Sequence, residues 1–239
     1  FRRKVRNVLN DNFTYYYLKR TDASRVYGLE LEHMLSPYNL NFLVNQSTLI
    51  EEHIAGIPGD HFIKEFLPQC TDAEKAQIAK EYVKFNERSM IRLLGDMRAY
   101  NYVVVPTHDF DQVVYKIRPI DFDQQSFEGK LSVYRPQFFK ENKALMDLVR
   151  TKLNHNSINQ YKIEERSIVA RRIISSGSRL QSLVRIMQSE TLTLQENLER
   201  LRQEIFKFTK DKAFKQSESM GDIMQASLRF VRLHYEKVD

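Results

Sequence analysis

The stretch Ala55–Asp60, "AGIPGD", most constrains how this chain can fold. It holds two of the seven glycines and one of the six prolines within six residues. Glycine opens backbone conformations closed to other residues and proline removes a hydrogen-bond donor, so such a cluster interrupts regular structure. Before it the sequence reads mainly as extended runs around a single helix; after it long helical patterns dominate, with one hairpin among them. The expectation is an α+β chain with a hinge near Glu52–Gly59, dividing residues 1–55, a small sheet with one helix, from residues 56–239, a larger and mostly helical part.

Local signals fill in that outline. "FTYYYLK" (Phe13–Lys19) is aromatic and strand-like, and the turn chemistry of "NDN" before it joins it to "VRNVL" as a hairpin. Asp22 and Ser24 offer N-caps for a helix through "RVYGLELEHML", whose Tyr27, Leu31, Met34 and Leu35 share one face, and Pro37 ends it. "NLNFLV" and "STLIEEHI" are extended. Past the hinge "HFIKEFL" is a short helical piece, and Thr71 caps a long amphipathic segment from Asp72 to about Leu93 with Ile78, Tyr82, Phe85 and Met90 inward. "NYVVV" and "QVVYKI" flank "PTHDFD" as a second hairpin. After Gln125 the chain is mostly helix. Leu194, Leu198, Leu201, Ile205 and Phe208 form one apolar stripe and Met224, Leu228, Val231 and Tyr235 another; neither lasts long enough for a coiled coil.

Composition removes several classes of function. With one cysteine, Cys70, there is no internal disulfide framework and no cysteine-rich zinc site, which fits a reducing, cytoplasmic setting. No apolar run is long enough for a membrane span, and no signal-peptide pattern is present. The balance of 37 basic against 31 acidic residues gives a net charge of +6, spread along the chain, and no nucleic-acid-binding motif accompanies it. The six histidines show no metal-ligand spacing and there is no GxSxG elbow. Lys162, Arg166, Arg171, Arg172 and Arg179 either meet an acidic substrate or keep a helix solvated, the second being the preferred reading.

The chemistry gathers in "LLGDMRAYN" and "PIDFDQQ". Asp96 stands five residues before Asn101, a hairpin follows, and Asp121 closes it. In phosphoryl transfer an aspartate orients the attacking hydroxyl and accepts its proton, while an asparagine further along the loop and a second aspartate hold Mg²⁺. The tetrapeptide DFDQ occurs twice. Asp109 and Asp111 of the first copy fall at the distal hairpin turn and read as turn residues.

This "LLGD-x4-N", hairpin, "IDFD" order resembles the aminoglycoside phosphotransferase and choline kinase branch of the protein-kinase-like fold, over roughly residues 5–125. The resemblance implies a two-lobed architecture and an ATP- and Mg²⁺-dependent transfer of the γ-phosphoryl group to a hydroxyl of an unidentified small-molecule or protein acceptor. It assigns Asp96 as base, Arg98 as a phosphate or substrate contact, Asn101 and Asp121 as metal ligands, and Asp123 as their assistant. Lys19 of "YYYLK" would meet the nucleotide phosphates, paired with Glu30 of "LELEHML" or, second in register, Glu32. Glu52 and Ile54 would offer main-chain groups to the adenine edge. The family's histidine before "GD" is Leu94 here, and no glycine-rich phosphate loop precedes Lys19. Such a loop lies before Phe1, or nucleotide is held without it, or the chain is a catalytically inactive pseudokinase acting as a binding module.

Overall fold

A computed structural model describes residues 1–109 and 112–236. Strands β1 (Arg2–Arg6) and β2 (Phe13–Arg20) form an antiparallel hairpin, with Arg2 opposite Tyr17 and Arg6 opposite Phe13. Helix α1 (Ala23–Leu35) follows, then β3 (Phe42–Asn45) and β4 (Thr48–Glu52), giving a four-stranded sheet ordered β1-β2-β4-β3. Asp22 caps α1 by accepting from the Arg25 N–H at 3.0 Å. Ser24, the other candidate cap, instead donates from Oγ to the carbonyls of Asp123 and Gln125.

The glycine- and proline-rich stretch contributes the two-residue strand β5 (Ile57–Pro58) and enters the short helix α2 (Gly59–His61), which continues through a π turn over Phe62–Phe66 and a 3-10 turn over Leu67–Gln69. Helix α3 (Asp72–Ile91) begins with a capping box in which Thr71 Oγ1 accepts from the Glu74 N–H and the Glu74 carboxylate accepts from the Thr71 N–H. Strands β6 (Tyr102–Asp109) and β7 (Gln112–Pro119) pair along their length from Tyr102 opposite Pro119 to Asp109 opposite Gln112, and β5 joins them as a second antiparallel sheet. Asp109 therefore ends a strand at the hairpin tip, while Asp111 lies outside the described residues.

The remainder is helical: α4 (Lys143–Lys152), α5 (His155–Ser189), α6 (Gln195–Thr209), α7 (Lys212–Lys215) and α8 (Met220–His234). Helix α5 is interrupted at Gly177, whose φ of 35° and ψ of −114° no side-chain-bearing residue adopts without strain. In α6 only the middle of the expected stripe is buried: Leu198, Leu201 and Ile205 are inside, whereas Leu194 and Phe208 at its ends are exposed. Among the described residues no helix is long and apolar enough to cross a membrane.

Helix α1 is shared by two cores. Tyr27, Leu31, Met34 and Leu35 pack with residues of α5, α6 and α8, while Leu29 on another face packs with Leu40, Leu49, Phe62 and Phe85. At about 1.5–3 kcal/mol for each fully buried large apolar side chain, this double burial fixes α1 on both sides. The basic residues of α5 reinforce it: Arg172 donates to the Met34 carbonyl and Arg179 pairs with Glu30, while Arg166 pairs with Glu87 of α3. Arg166 and Arg172 are thus used inside the fold, which neither sequence reading anticipated, while Arg179 makes its pair from an exposed position.

Candidate functional site

The site is built where the loop after α3 runs beside the segment after β7. Three backbone hydrogen bonds join the two: Ile120 N–H to the Asn101 carbonyl at 3.0 Å, Gly95 N–H to the Gln124 carbonyl at 3.1 Å, and Ser126 N–H to the Leu93 carbonyl at 2.9 Å. Asp121 and Asp123 lie between the first of these bonds and the other two, so the segment carrying them is tied down at both ends against the Asp96 loop. The loop itself is sharply folded. Leu93, Asp96 and, across from them, Ser126 have φ of 53°, 55° and 52°, conformations that cost free energy for residues with a Cβ and persist only where surrounding contacts enforce them.

Asp96 and Asn101 meet directly. Asn101 Nδ2 donates to the Asp96 carbonyl at 2.7 Å and to its Oδ2 at 3.2 Å. The other carboxylate oxygen, Oδ1, accepts from Arg98 Nε at 2.7 Å, and Arg98 Nη1 reaches Glu141 at 3.1 Å. The hydrogen bond to Asp96 is the chief reason the Arg98 guanidinium holds its proton more strongly than usual. Asn142, wholly buried, donates to the carbonyls of Met97 and Pro136 and fixes the loop from beneath.

Asp121 and Asp123 are bridged by one cation. Arg25 Nη2, from the first turn of α1, lies 3.2 Å from Asp121 Oδ1 and in closer contact with Asp123 Oδ1. Asp121 Oδ1 is buried yet accepts no hydrogen bond, because the guanidinium approaches it outside hydrogen-bonding geometry. Burial first, and then the neighbouring Asp121 charge, raise the Asp123 carboxyl above the ordinary aspartate range, with Arg25 opposing them. Helix α1 can come this close because residue 28 is glycine: a Cβ there would stand 2.9 Å from Phe122 Cβ and 3.2 Å from Gln125 Cβ.

Lys19 does not pair with Glu30. Its Nζ is 2.9 Å from Glu51 Oε2 on the adjacent strand β4. Glu30 points to α5 and pairs with Arg179 at 2.6 Å, and Glu32, the second candidate, is buried against Arg92. The reason is packing: the apolar face of α1 turns Glu30 and Glu32 toward the helices, so the carboxylate in reach of Lys19 is that of Glu51, two residues along β4 from Leu49, which stands directly opposite the lysine. At the hinge the Glu52 N–H donates to the Asn41 carbonyl at 2.9 Å and its side chain accepts from Asn41 Nδ2. Of Glu52's main-chain groups this leaves only the carbonyl open to a ligand. Ile54 is buried in the core beside Leu49 and Phe62.

The geometry thus joins Asp96, Arg98 and Asn101 in one cluster, sets Asp121 and Asp123 in the adjoining segment, and leaves Lys19 on the neighbouring sheet. Sequence reasoning missed Glu51 and Arg25. A glutamate diagonal to a lysine across a strand pair has no sequence motif; Arg25 did leave a trace, since a cation in a helix's first turn opposes the helix dipole and calls for a nearby anion. Among the described residues no three Asp, Glu, His or Cys side chains gather as a metal cluster. Two carboxylates with an amide oxygen remain a donor set suited to Mg²⁺, which takes one or two carboxylates and completes its shell from water and phosphate, and the unsatisfied Asp121 Oδ1 fits such a role. No protein-family model matches the chain, and no curated protein does.

Proposed function

We propose that the chain is a kinase-like phosphotransferase that uses ATP and Mg²⁺ to phosphorylate a hydroxyl acceptor, with a two-lobed kinase-like architecture. One observation carries this reading: the Asp96–Asn101 contact and the segment bearing Asp121 and Asp123 are bound to each other in the order that phosphoryl transfer uses them. Asp96, held by Asn101 and Arg98, takes the proton of the acceptor hydroxyl as that oxygen attacks the γ-phosphorus and ADP leaves. Arg98 offers a positive charge beside it, and Lys19, anchored by Glu51 through one of its three N–H donors, keeps two for nucleotide phosphates. Asn101 and Asp121, assisted by Asp123, would hold the Mg²⁺, which when bound neutralises charge on the transferring phosphoryl group. Glu52 and Ile54 flank the proposed adenine edge.

Turnover tests the assignment. Asp121→Ala should lose phosphotransfer by orders of magnitude while its melting curve shows a folded protein; retained turnover would overturn it.

A second reading has its own support. Arg25 already pairs with both carboxylates expected to bind the cation, as it would in a pseudokinase that serves as a binding module. Thermal-shift titration separates the two, because a ligand bound only by the native state raises the melting temperature. A rise with Mg²⁺ and ATP together supports the enzyme; no shift at millimolar nucleotide supports the inactive module.

A further inference from the structure

Arg25 is placed with more precision than a surface charge requires. It belongs to the first turn of α1, where the exposed N–H groups make a cation unfavourable, so its position must be offset by the anions it touches. Its side chain is only 11% exposed. The backbone around it cannot drift: Ser24 Oγ, one residue earlier, is bonded to the carbonyls of Asp123 and Gln125, and Gly28, one turn later, lies against Phe122. Three positions on one face of α1 therefore rest on residues 121–125, and the guanidinium reaches Asp121 Oδ1 and Asp123 Oδ1 from a fixed base.

Those are the oxygens a divalent cation would take. Resting on the reading that Asp121 and Asp123 hold that cation, we infer that Arg25 is a built-in counter-cation: it occupies the two carboxylates in the cation-free protein and gives them up when a divalent cation binds. Two neighbouring carboxylates are thereby kept together without metal, and the cation has to displace a guanidinium to enter. The exchange needs only side-chain rotation. Arg25 Nη1 is buried and has no hydrogen-bond partner to hold it back, and the competition lowers the affinity of the bare protein for the cation.

The test is direct binding of Mn²⁺ to the full chain, followed by the electron paramagnetic resonance of the free ion, with and without a non-hydrolysable ATP analogue. Arg25→Gln should bind Mn²⁺ at least tenfold more tightly than the unmodified protein, and adding Asp121→Asn to it should remove the gain. Should the glutamine variant fail to fold, Arg25→Lys keeps the charge but is too short to span both carboxylates, and it should gain at least threefold. Equal or weaker binding by both Arg25 variants, with Asp121→Asn still weakening the unmodified protein, would overturn the inference and leave the cation site standing. No Mn²⁺ binding by any variant, even with the nucleotide analogue, would overturn the cation site and this inference with it.

Discussion

Lys19 Nζ lies 2.9 Å from the carboxylate of Glu51, its diagonal neighbour across the β2–β4 strand pair, and not beside Glu30 on α1. The Glu51 side chain is 4% exposed, so its charge is held by the lysine rather than by water. This pair belongs to the sheet and does not depend on where α1 sits. Glu51→Gln should therefore weaken binding of an ATP analogue several-fold, by leaving the Lys19 ammonium without its anchor. Glu30→Gln should leave nucleotide affinity within about twofold and cost about 0–1 kcal/mol of stability, as expected for a pair with an exposed arginine. Isothermal titration of both variants decides it: equal effects on nucleotide affinity would refute the assignment of Glu51.

Asp96 is best tested by asparagine. Its φ of 55° is tolerated by Asp and Asn better than by other residues with a Cβ, so Asp96→Ala would mix backbone strain with lost chemistry. Asp96→Asn keeps the loop and removes the base. The expected result is a fall in kcat of about 10²–10⁴-fold, the usual contribution of a positioned general base, with KM changed only a few-fold. An unchanged kcat in steady-state assays would remove Asp96 from the reaction.

Legibility divides along a physical line. The Asp22 and Thr71 caps and the inward face of α3 depend on contacts within a few residues, and cap spacing and apolar period report them directly; the β1–β2 hairpin was legible too, but its first strand ends at Arg6, leaving Val8 and Leu9 of "VRNVL" exposed beyond it. The Asp96–Asn101 contact is local too, and its spacing announced it. Lys19's partner was not legible: the sequence points to Glu30 and then Glu32, and only once the apolar stripe of α1 is committed to α5 and α8 is Glu51 left within reach. Arg166, Arg172 and Arg179 look like a solvated helix face in sequence; only tertiary packing gives them Glu87, the Met34 carbonyl and Glu30 as partners. The break at Gly177 was missed for another reason: one glycine within a helical pattern costs only about 1 kcal/mol and does not by itself mark an interruption.

Gly28 governs how closely α1 approaches the Asp121–Asp123 segment. Gly28→Ala would gain up to about 1 kcal/mol of helix propensity, but the new Cβ meets Phe122 Cβ at 2.9 Å. That atom is fixed by the backbone and cannot turn aside, so overpacking at about 1–3 kcal/mol should win. Net destabilisation by chemical denaturation is expected, and net stabilisation would show that α1 is free to move outward.

Beneath the site, Arg88 is 1% exposed and joins Glu81 of α3 to Glu165 of α5. Burial works against its charge, but Glu165 and Glu81 more than compensate and hold its proton more firmly than usual. Arg88→Met should cost about 3–5 kcal/mol, because it strands buried carboxylates. Adding Glu165→Leu should recover part of that loss. A double variant no more stable than Arg88→Met alone would place the cost in packing rather than in the uncompensated charge.

Acid stability should report Asp222, the N3 residue of the α8 capping box. Burial alone would raise its carboxyl, but hydrogen bonds from Gln188, the Glu218 N–H and Ser219 outweigh burial and hold it below the ordinary range. Because the folded value is depressed, its contribution is fully present above the unfolded value of about 3.9 and is lost as pH falls through the folded one. Asp222→Asn should cost about 0.3–1 kcal/mol at pH 7, the range for a carboxylate near a helix N-terminus. Its deficit against the unmodified protein should shrink as pH falls below about 4. Urea unfolding at pH 7, 4 and 3 measures both, and a deficit that stays constant across that series would show that the Asp222 charge does not stabilise the helix.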